Sequence, residues 1–182
     1  MIPAREAVAA RTVVRTPIDA AAAWAALSTL MDPEVPVLSI VELGIVRDVD
    51  LHQGRVRVTI TPTYAGCPAM DRIANDVREA FADTGAAVDV VTTLSPAWTT
   101  DWMAPEGRQR LAAYGIAPPH CANVPRIDIT AISPLRRRPQ PVACPRCGSL
   151  ATSLLAQFGS TACKALFRCD ECREPFDYFK PH

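Results

Sequence analysis

The feature that most constrains this chain of 182 residues is a pair of C-x-x-C motifs near its C-terminus. The first motif contains Cys144 and Cys147, and the second contains Cys169 and Cys172. Four thiolates at such a spacing surround one Zn²⁺ at about 2.3 Å and leave no coordination position for water. The motifs therefore predict a structural zinc site, with a redox dithiol or an iron–sulfur cluster as the alternatives.

The composition limits the cellular compartment in which the protein is expected and the classes of molecule that it is expected to bind. Seven cysteines, an odd number, in a chain without a recognisable export signal favour reduced thiols over a disulfide scaffold. No uncharged run near the N-terminus approaches the roughly 20 residues that cross a bilayer. Nineteen basic and nineteen acidic side chains cancel, so no global field attracts nucleic acid. We therefore expect a cytoplasmic protein that binds neither membrane nor nucleic acid.

Charge and proline content divide the chain into two parts. Residues 1–132 hold eleven basic and fifteen acidic side chains, a net charge of −4, whereas residues 133–182 hold eight and four, a net charge of +4. A segment rich in proline and arginine joins them and is typical of an extended linker. The predicted organisation is a flexible tail over 1–17, an α+β domain over 18–132, a linker over 133–142 and a zinc ribbon over 143–182.

Hydrophobic periodicity predicts that the first domain is a small two-layer α+β fold. A helix capped by Thr16, with Pro17 at its first position, runs to Leu30 and is ended by residues 32–34. Two alternating strands follow, joined by the turn 52–54. Helical spacing over 70–81 predicts the most amphipathic helix. The remaining predicted elements are a strand over 88–93, a helix over 105–114 and an edge strand around Ile127 and Ile129.

Cys67 is the thiol that stands out in the first domain. It lies in the segment 61–70 between the second strand and the amphipathic helix, with Pro68 predicted as the first helical residue. Unpaired backbone amides and the positive end of the helix dipole stabilise a thiolate, so we expect a lowered pKa for Cys67. Cys67 is thus a candidate reactive or metal-binding sulfur, and the alternative is a buried cysteine that fills space.

Three further residues have two interpretations each. Asp32 and Glu34 provide oxygen ligands or an acid/base pair if they approach Cys67, and otherwise they only end a helix. Cys163 is either an alternative ligand in the ribbon or a small buried residue. Because four knuckle cysteines already fill a tetrahedron, we expect Cys163 to be the buried residue.

These motifs resemble a known family. Residues 32–34, 43–46 and 61–70, with Gly66-Cys67-Pro68, are similar to the small iron–sulfur-assembly domain of SufT-type proteins and the cytosolic iron–sulfur targeting factors. Residues 95–102, the linker and residues 158–165 extend the likeness over the chain from about residue 18. The whole then resembles the PaaD family, accessory proteins encoded with the phenylacetyl-CoA epoxidase of aerobic bacterial phenylacetate degradation.

The resemblance implies a non-catalytic role in maturing the iron–sulfur or di-iron centres of that epoxidase. Its di-iron oxygenase subunit and its [2Fe–2S] reductase subunit are the implied partners, and a homodimer is left open. Cys67 would handle transient iron or an iron–sulfur cluster, with Asp32 and Glu34 as supporting groups. The resemblance assigns no role to His120 and Cys121. The chain also lacks a Glu-x-x-His pair, a G-x-G-x-x-G motif and ferredoxin cysteine spacing, which agrees with a role other than enzyme.

Three other functions compete with this interpretation. A stoichiometric subunit of the epoxidase complex would dock through the ribbon and through Trp98 and Trp102, expected to be exposed. A nucleic-acid binder would use the arginines 136–138, although three arginines among prolines are typical of a solvated linker. A thiol oxidoreductase would need one accessible C-x-x-C motif, whereas two matched motifs favour a closed metal site.

Overall fold

A computed structural model describes residues 18–120 and 141–182. The predicted tail, most of the linker, Cys121 and the predicted edge strand around Ile127 and Ile129 lie outside these residues. The described elements, in chain order, are α1 (Ala20–Ser28), β1 (Val46–His52), β2 (Arg55–Ile60), α2 (Met70–Ala80), β3 (Ala87–Thr92), α3 (Pro105–Tyr114), β4 (Ile116–Ala117), β5 (Thr152–Ala156), β6 (Lys164–Cys169) and β7 (Pro175–Phe179).

The first helix begins later than the sequence pattern predicts. Asp19 is the N-cap of α1, and its Oδ1 accepts a hydrogen bond from the Ala22 amide at 2.7 Å. The prediction of Thr16 as the cap, with Pro17 at the first helical position, is therefore wrong. Asp and Thr are both good caps, and Asp19 directly precedes the alanine run that forms the helix. Helix α1 ends at Ser28, before Asp32 is reached.

A three-stranded sheet in the order β1-β2-β3 forms the base of the first domain. Strands β1 and β2 are antiparallel, and the predicted turn is shorter by one residue, because His52 pairs with Arg55. Strand β3 is parallel to β2, so α2 is the crossover between them. The apolar side of α2 buries Ile73 and Val77 in the same core as the inward residues of β2. The sheet and α2 together place residues 61–70 at one end of the domain.

The ribbon is a four-stranded sheet in the order β4-β7-β6-β5, and its first strand comes from the range predicted for the first domain. Strand β4 pairs in parallel with β7 through Ile116 and Asp177. Phe179, at the end of β7, is fully buried in the core of the first domain, with its ring centroid 6.0 Å from that of Trp98. Backbone pairing and a shared apolar core thus join the two domains.

Trp98 is not the exposed docking residue that the sequence suggests. Its side chain is buried, and its indole Nε1–H donates to the Leu43 carbonyl at 3.0 Å. Trp102 is half-buried, with the Arg47 guanidinium 3.4 Å above its ring centroid. The expectation fails because Trp98 packs against Phe179, which is 81 positions away in the sequence.

In the described parts of the chain, no helix is long and apolar enough to cross a membrane.

Gly44 allows a close backbone approach that any side chain would prevent. Its φ is +75°, and a Cβ built there would lie 2.7 Å from the Trp102 carbonyl oxygen. We expect Gly44→Ala to lower the free energy of unfolding by about 3 kcal/mol, because left-handed strain and a backbone clash add. Urea denaturation measures the change.

Gly54→Ala is the matched control for this substitution. Gly54 has a φ of +74°, and nothing lies within 4 Å of a Cβ there. Only the backbone strain of about 1 kcal/mol should appear. Equal losses for the two variants would contradict the close packing of Gly44 against Trp102.

Candidate functional site

The four ribbon cysteines converge on one point. Their Sγ atoms all lie within 4.8 Å of one another, with Cys144 and Cys172 3.7 Å apart and Cys147 and Cys169 3.6 Å apart. A tetrahedron with metal–sulfur bonds of about 2.3 Å has sulfur–sulfur edges of about 3.8 Å. Two of the sulfur–sulfur distances match this edge, so the four side chains are placed to hold one tetrahedral metal ion.

Local backbone geometry prepares the Cys169 thiol as a ligand. The Cys172 amide donates to Cys169 Sγ at 3.5 Å, as expected in a tight knuckle. Hydrogen bonds from the amides of Cys172 and Glu171 lower the pKa of the Cys169 thiol to about 7. Since a metal binds the thiolate, a lowered pKa reduces the cost of deprotonation at neutral pH. Cys169 also ends β6, which ties the metal site directly to the sheet.

Asp32 lies buried just after α1 and holds a turn. Its Oδ1 accepts hydrogen bonds from the amides of Glu34 at 2.9 Å and Val35 at 2.8 Å. Burial raises the pKa of Asp32, although these two amides oppose the shift. Asp32 therefore fixes the path of the loop that carries Glu34.

Glu34 is only half-buried. Burial, and then the neighbouring charge of Asp32, raise the pKa of Glu34. Its Oε2 lies 3.8 Å from the Sγ of Cys163, and its backbone carbonyl accepts a hydrogen bond from Lys164 Nζ at 3.4 Å. Residues 32–34, which the sequence predicted to end the first helix, therefore lie at the contact between the two domains.

Cys67 is half-buried in the turn before α2, and its amide donates to the Tyr64 carbonyl at 3.0 Å. Burial raises the pKa of the Cys67 thiol to about 11, and the charges of Glu34, Asp32 and Cys163 add to this rise against an opposing hydrogen bond from the Ala69 amide. Burial is therefore the main cause of the raised pKa of Cys67, and the two predicted carboxylates add to it.

The expectation of a lowered Cys67 pKa is wrong for a geometric reason. Helix α2 begins at Met70 with Ala69 as its N-cap, so Pro68 is not the first helical residue. Cys67 precedes the cap by two residues, and the helix dipole is strong only within the first turn. Burial and nearby carboxylates then determine the sign of the shift.

The raised pKa predicts that the Cys67 thiol reacts slowly with alkylating reagents at neutral pH and that its reaction rate rises with pH. With a pKa of about 11, only about one Cys67 in ten thousand is a thiolate at pH 7. Alkylation of Cys67 by iodoacetamide should rise about tenfold per pH unit from pH 7 to 10 without a plateau. Peptide-resolved mass spectrometry follows the rate, and protein unfolded in urea, where the thiol titrates near 8.5, is the control. A plateau of the native rate below pH 8 would contradict the burial of this thiol.

Cys163 is the neighbour that the sequence did not associate with this site. As predicted, it is buried and is not among the four converging cysteines. Its Sγ nevertheless faces Glu34, 129 positions away, and not the ribbon metal site. No local pattern carries this information, because the contact exists only once β7 docks Phe179 into the first domain.

The ribbon cysteines and the residues around Cys67 differ in how closely their potential ligand atoms approach one another. Among the described residues, the four ribbon cysteines are the one group of three or more potential ligands that could hold a metal ion, and their ligand atoms all lie within 4.8 Å of one another. The group around Cys67 is more open.

Comparison with known proteins agrees with the two domains. The profile of an iron–sulfur cluster assembly protein family matches residues 20–93, and that of the PaaD zinc beta ribbon domain matches residues 130–180. A protein of Escherichia coli (strain K12), named as a putative subunit of 1,2-phenylacetyl-CoA epoxidase, is 51% identical over 161 residues, which cover 86% of this chain and 90% of that protein.

Other similar proteins match about half of this chain. The Fe-S protein maturation auxiliary factor YitW of Bacillus subtilis (strain 168) is 40% identical over 81 residues, 43% of this chain and 78% of that protein. The solved structure of a domain of unknown function, DUF59, from Bacillus anthracis is 28% identical to this chain. The match covers 49% of this chain and 87% of the solved chain, with a TM-score of 0.46.

The two profile matches and the two described sheets confirm the α+β fold with a C-terminal ribbon, and the relative from Escherichia coli confirms the resemblance drawn from the motifs. Its similarity extends through both domains and the segment between them. The chain therefore belongs to the PaaD family, in which an iron–sulfur-assembly domain is joined to a zinc ribbon.

Proposed function

We propose that this chain is an accessory maturation factor for the iron–sulfur or di-iron centres of the phenylacetyl-CoA epoxidase complex in aerobic phenylacetate catabolism. It acts in the cytoplasm on the oxygenase and reductase subunits and catalyses no reaction of its own. One observation carries the proposal: the half-buried thiol of Cys67 packs against the core of the domain that matches iron–sulfur assembly proteins, and Val35, the residue after Glu34, belongs to the same core. The names of the relatives, an epoxidase subunit and an iron–sulfur maturation factor, support the same role.

The geometry suits a site that takes up iron and gives it away. Cys67 supplies a sulfur ligand, and Glu34 supplies a carboxylate oxygen from a loop that Asp32 holds in place. Since the Cys67 thiol is protonated when no metal is bound, iron must displace a proton to bind, and a proton can displace iron. A site with so few ligands holds its cargo weakly enough to transfer it.

The ribbon contributes structure to this function. We propose Zn²⁺ as its resident metal, held by Cys144, Cys147, Cys169 and Cys172, because closed four-cysteine sites of this geometry hold zinc and leave no position for substrate. Zinc would stabilise β5, β6 and β7 and thereby the contact with the first domain. Elemental analysis of purified protein should give one zinc per chain.

A stoichiometric subunit of the epoxidase complex is the second candidate, and the ribbon surface favours it. Four large apolar side chains on and beside β5 are about half exposed or more: Leu150, Leu154, Leu155 and Phe158. Strand β5 is also at the edge of its sheet. Exposed apolar groups of this kind mark surfaces that dock a partner, whether briefly or permanently.

Purification of active epoxidase tests the proposed function against this second candidate. The oxygenase and reductase subunits are co-expressed with this chain, and the active complex is purified by a tag on the oxygenase. A maturation factor should be present at well below one copy per complex, although the enzyme is fully active. A constant one-to-one ratio through successive columns would contradict the maturation role and support the permanent docking role.

A further inference from the structure

A cavity of about 320 Å³ lies beside the end of β2. Its walls come from three stretches of the chain: residues 61–65, residues within 94–98, and His182. Cavities that bind small molecules measure about 300 to 1,000 Å³, so this one has room for a compact molecule. Neither Cys67 nor the ribbon cysteines line it, so the cavity is distinct from both sites described above.

Hydrogen bonds hold the three walls of this cavity in place. The Thr61 amide, at 2.8 Å, and the Trp98 indole N–H, at 3.0 Å, both donate to backbone carbonyls of residues 43–45. The His182 carbonyl accepts a hydrogen bond from the Thr100 amide at 3.3 Å, which keeps His182 against the first domain. The cavity therefore exists before any molecule enters it, and binding requires little rearrangement.

Thr61 brings an unused hydroxyl to the cavity. Its side chain is buried, with 1% exposed, and its Oγ1 has no hydrogen-bond partner among the described residues. A hydroxyl buried without a partner is unfavourable, because the hydrogen bonds that water made are not replaced. Since Thr61 is one of the residues that line the cavity, a molecule bound there can supply the missing partner.

The other walls are apolar or aromatic. Tyr64 and Leu94 both line the cavity, and Leu94 is 58% exposed. The rings of Trp98 and His182 have centroids 6.0 Å apart and meet edge to face at 67°, an arrangement that a third ring can extend. Partial burial and the charge of Lys180 lower the pKa of His182, so its imidazole is neutral at pH 7. The lining side chains therefore carry no formal charge that would attract an ion.

We propose that this cavity binds a compact, uncharged aromatic molecule whose single polar group, a hydroxyl or an amide, forms a hydrogen bond with Thr61. The inference goes beyond the proposed function, because it requires neither a metal nor the thiol of Cys67. The Tyr64 carbonyl accepts a hydrogen bond from the Cys67 amide at 3.0 Å. A molecule in the cavity therefore contacts the turn that carries Cys67.

Phenol and toluene test the site, because they have nearly the same shape and differ by one hydroxyl. Full-length, zinc-loaded protein is titrated with each probe at pH 7, and NMR follows the indole N–H signal of Trp98. Both probes should shift this signal saturably, with dissociation constants of about 1 mM. In Thr61→Val the ratio of phenol affinity to toluene affinity should fall about fivefold, because valine keeps the shape of threonine without its hydroxyl.

Thr100→Val is the matched control. The Thr100 side chain is also buried, and its hydroxyl also lacks a partner among the described residues, but Thr100 does not line the cavity. The affinity ratio in this variant should stay within about twofold of wild type. Circular dichroism and zinc content establish that each variant is folded.

Leu94→Ala tests the position of the site independently of Thr61. Because Leu94 is exposed, this variant should fold even if Thr61→Val does not. Removing apolar surface from the wall should weaken both probes about threefold and leave their affinity ratio unchanged.

Three results would each overturn the site. Wild type without a saturable shift of the Trp98 signal would show that the cavity binds no aromatic molecule. An unchanged affinity ratio in folded Thr61→Val would contradict the hydrogen bond to Thr61. Unchanged affinity for both probes in Leu94→Ala would place their binding elsewhere. Each of these results leaves the maturation role standing, because that role is decided by the iron content of the epoxidase subunits.

Discussion

Replacing Cys169 with serine should unfold the ribbon. Among the described residues its own apolar cluster has seven buried members, two of which are proposed metal ligands, so burial alone stabilises it little. A structural zinc contributes about 10 to 16 kcal/mol of apparent binding free energy at neutral pH, and that contribution is lost with one ligand. Backbone amides of β5, β6 and β7 should therefore exchange with solvent deuterium as in an unfolded segment.

The first domain should remain folded in the same variant. Its core includes the buried side chains of β2 and α2, which are part of the first domain itself. Amides of β2 should stay protected, although the loss of Phe179 from the shared core should lower their stability. Ser153→Ala, which removes only an exposed hydrogen bond to Asp170, is the control. Native protection of β6 in Cys169→Ser, or after chelation of the metal, would contradict a metal-stabilised ribbon.

Replacing Cys67 with serine should remove iron delivery without unfolding the protein. The substitution is nearly isosteric, and Cys67 is only half-buried at the margin of the core, so the free energy of unfolding should fall by less than about 1 kcal/mol. A hydroxyl is a poor ligand for Fe²⁺ compared with a thiolate, so the rate of iron delivery should fall more than about tenfold.

Iron content of the client is the measurement for this variant. The epoxidase subunits are co-expressed with wild type, with Cys67→Ser and with Ala65→Ser, and the iron per purified oxygenase and reductase subunit is determined. Ala65 is exposed in the same turn, so the control places a hydroxyl nearby and leaves the thiol intact. Full client iron with the Cys67→Ser variant would contradict a chemical role for this thiol.

Patterns that depend on near neighbours could be predicted from the sequence. The alternation in β1 and β2, the apolar stripe of α2 and the ribbon cysteines all appear in the structure close to their expected positions. Each depends on residues a few positions apart, or on cysteine chemistry that allows few arrangements.

Features that depend on helix boundaries or on distant contacts could not be predicted in this way. Helix α2 starts two residues after Pro68, and burial of Cys67 before that start raises the pKa that the predicted helix start would have lowered. The burial of Trp98 and the approach of Cys163 to Glu34 follow from the docking of Phe179, and no periodicity in the sequence reports that docking. The candidate site therefore includes a residue whose neighbours only the tertiary structure shows.

Iron in the epoxidase subunits made without this chain tests the central claim most directly. The oxygenase and reductase subunits are expressed with and without it in cells that have no other copy, purified, and assayed for iron per subunit. The maturation role predicts folded subunits that are short of iron when the chain is absent and filled when it is present. Subunits with their full complement of iron in its absence would contradict the account.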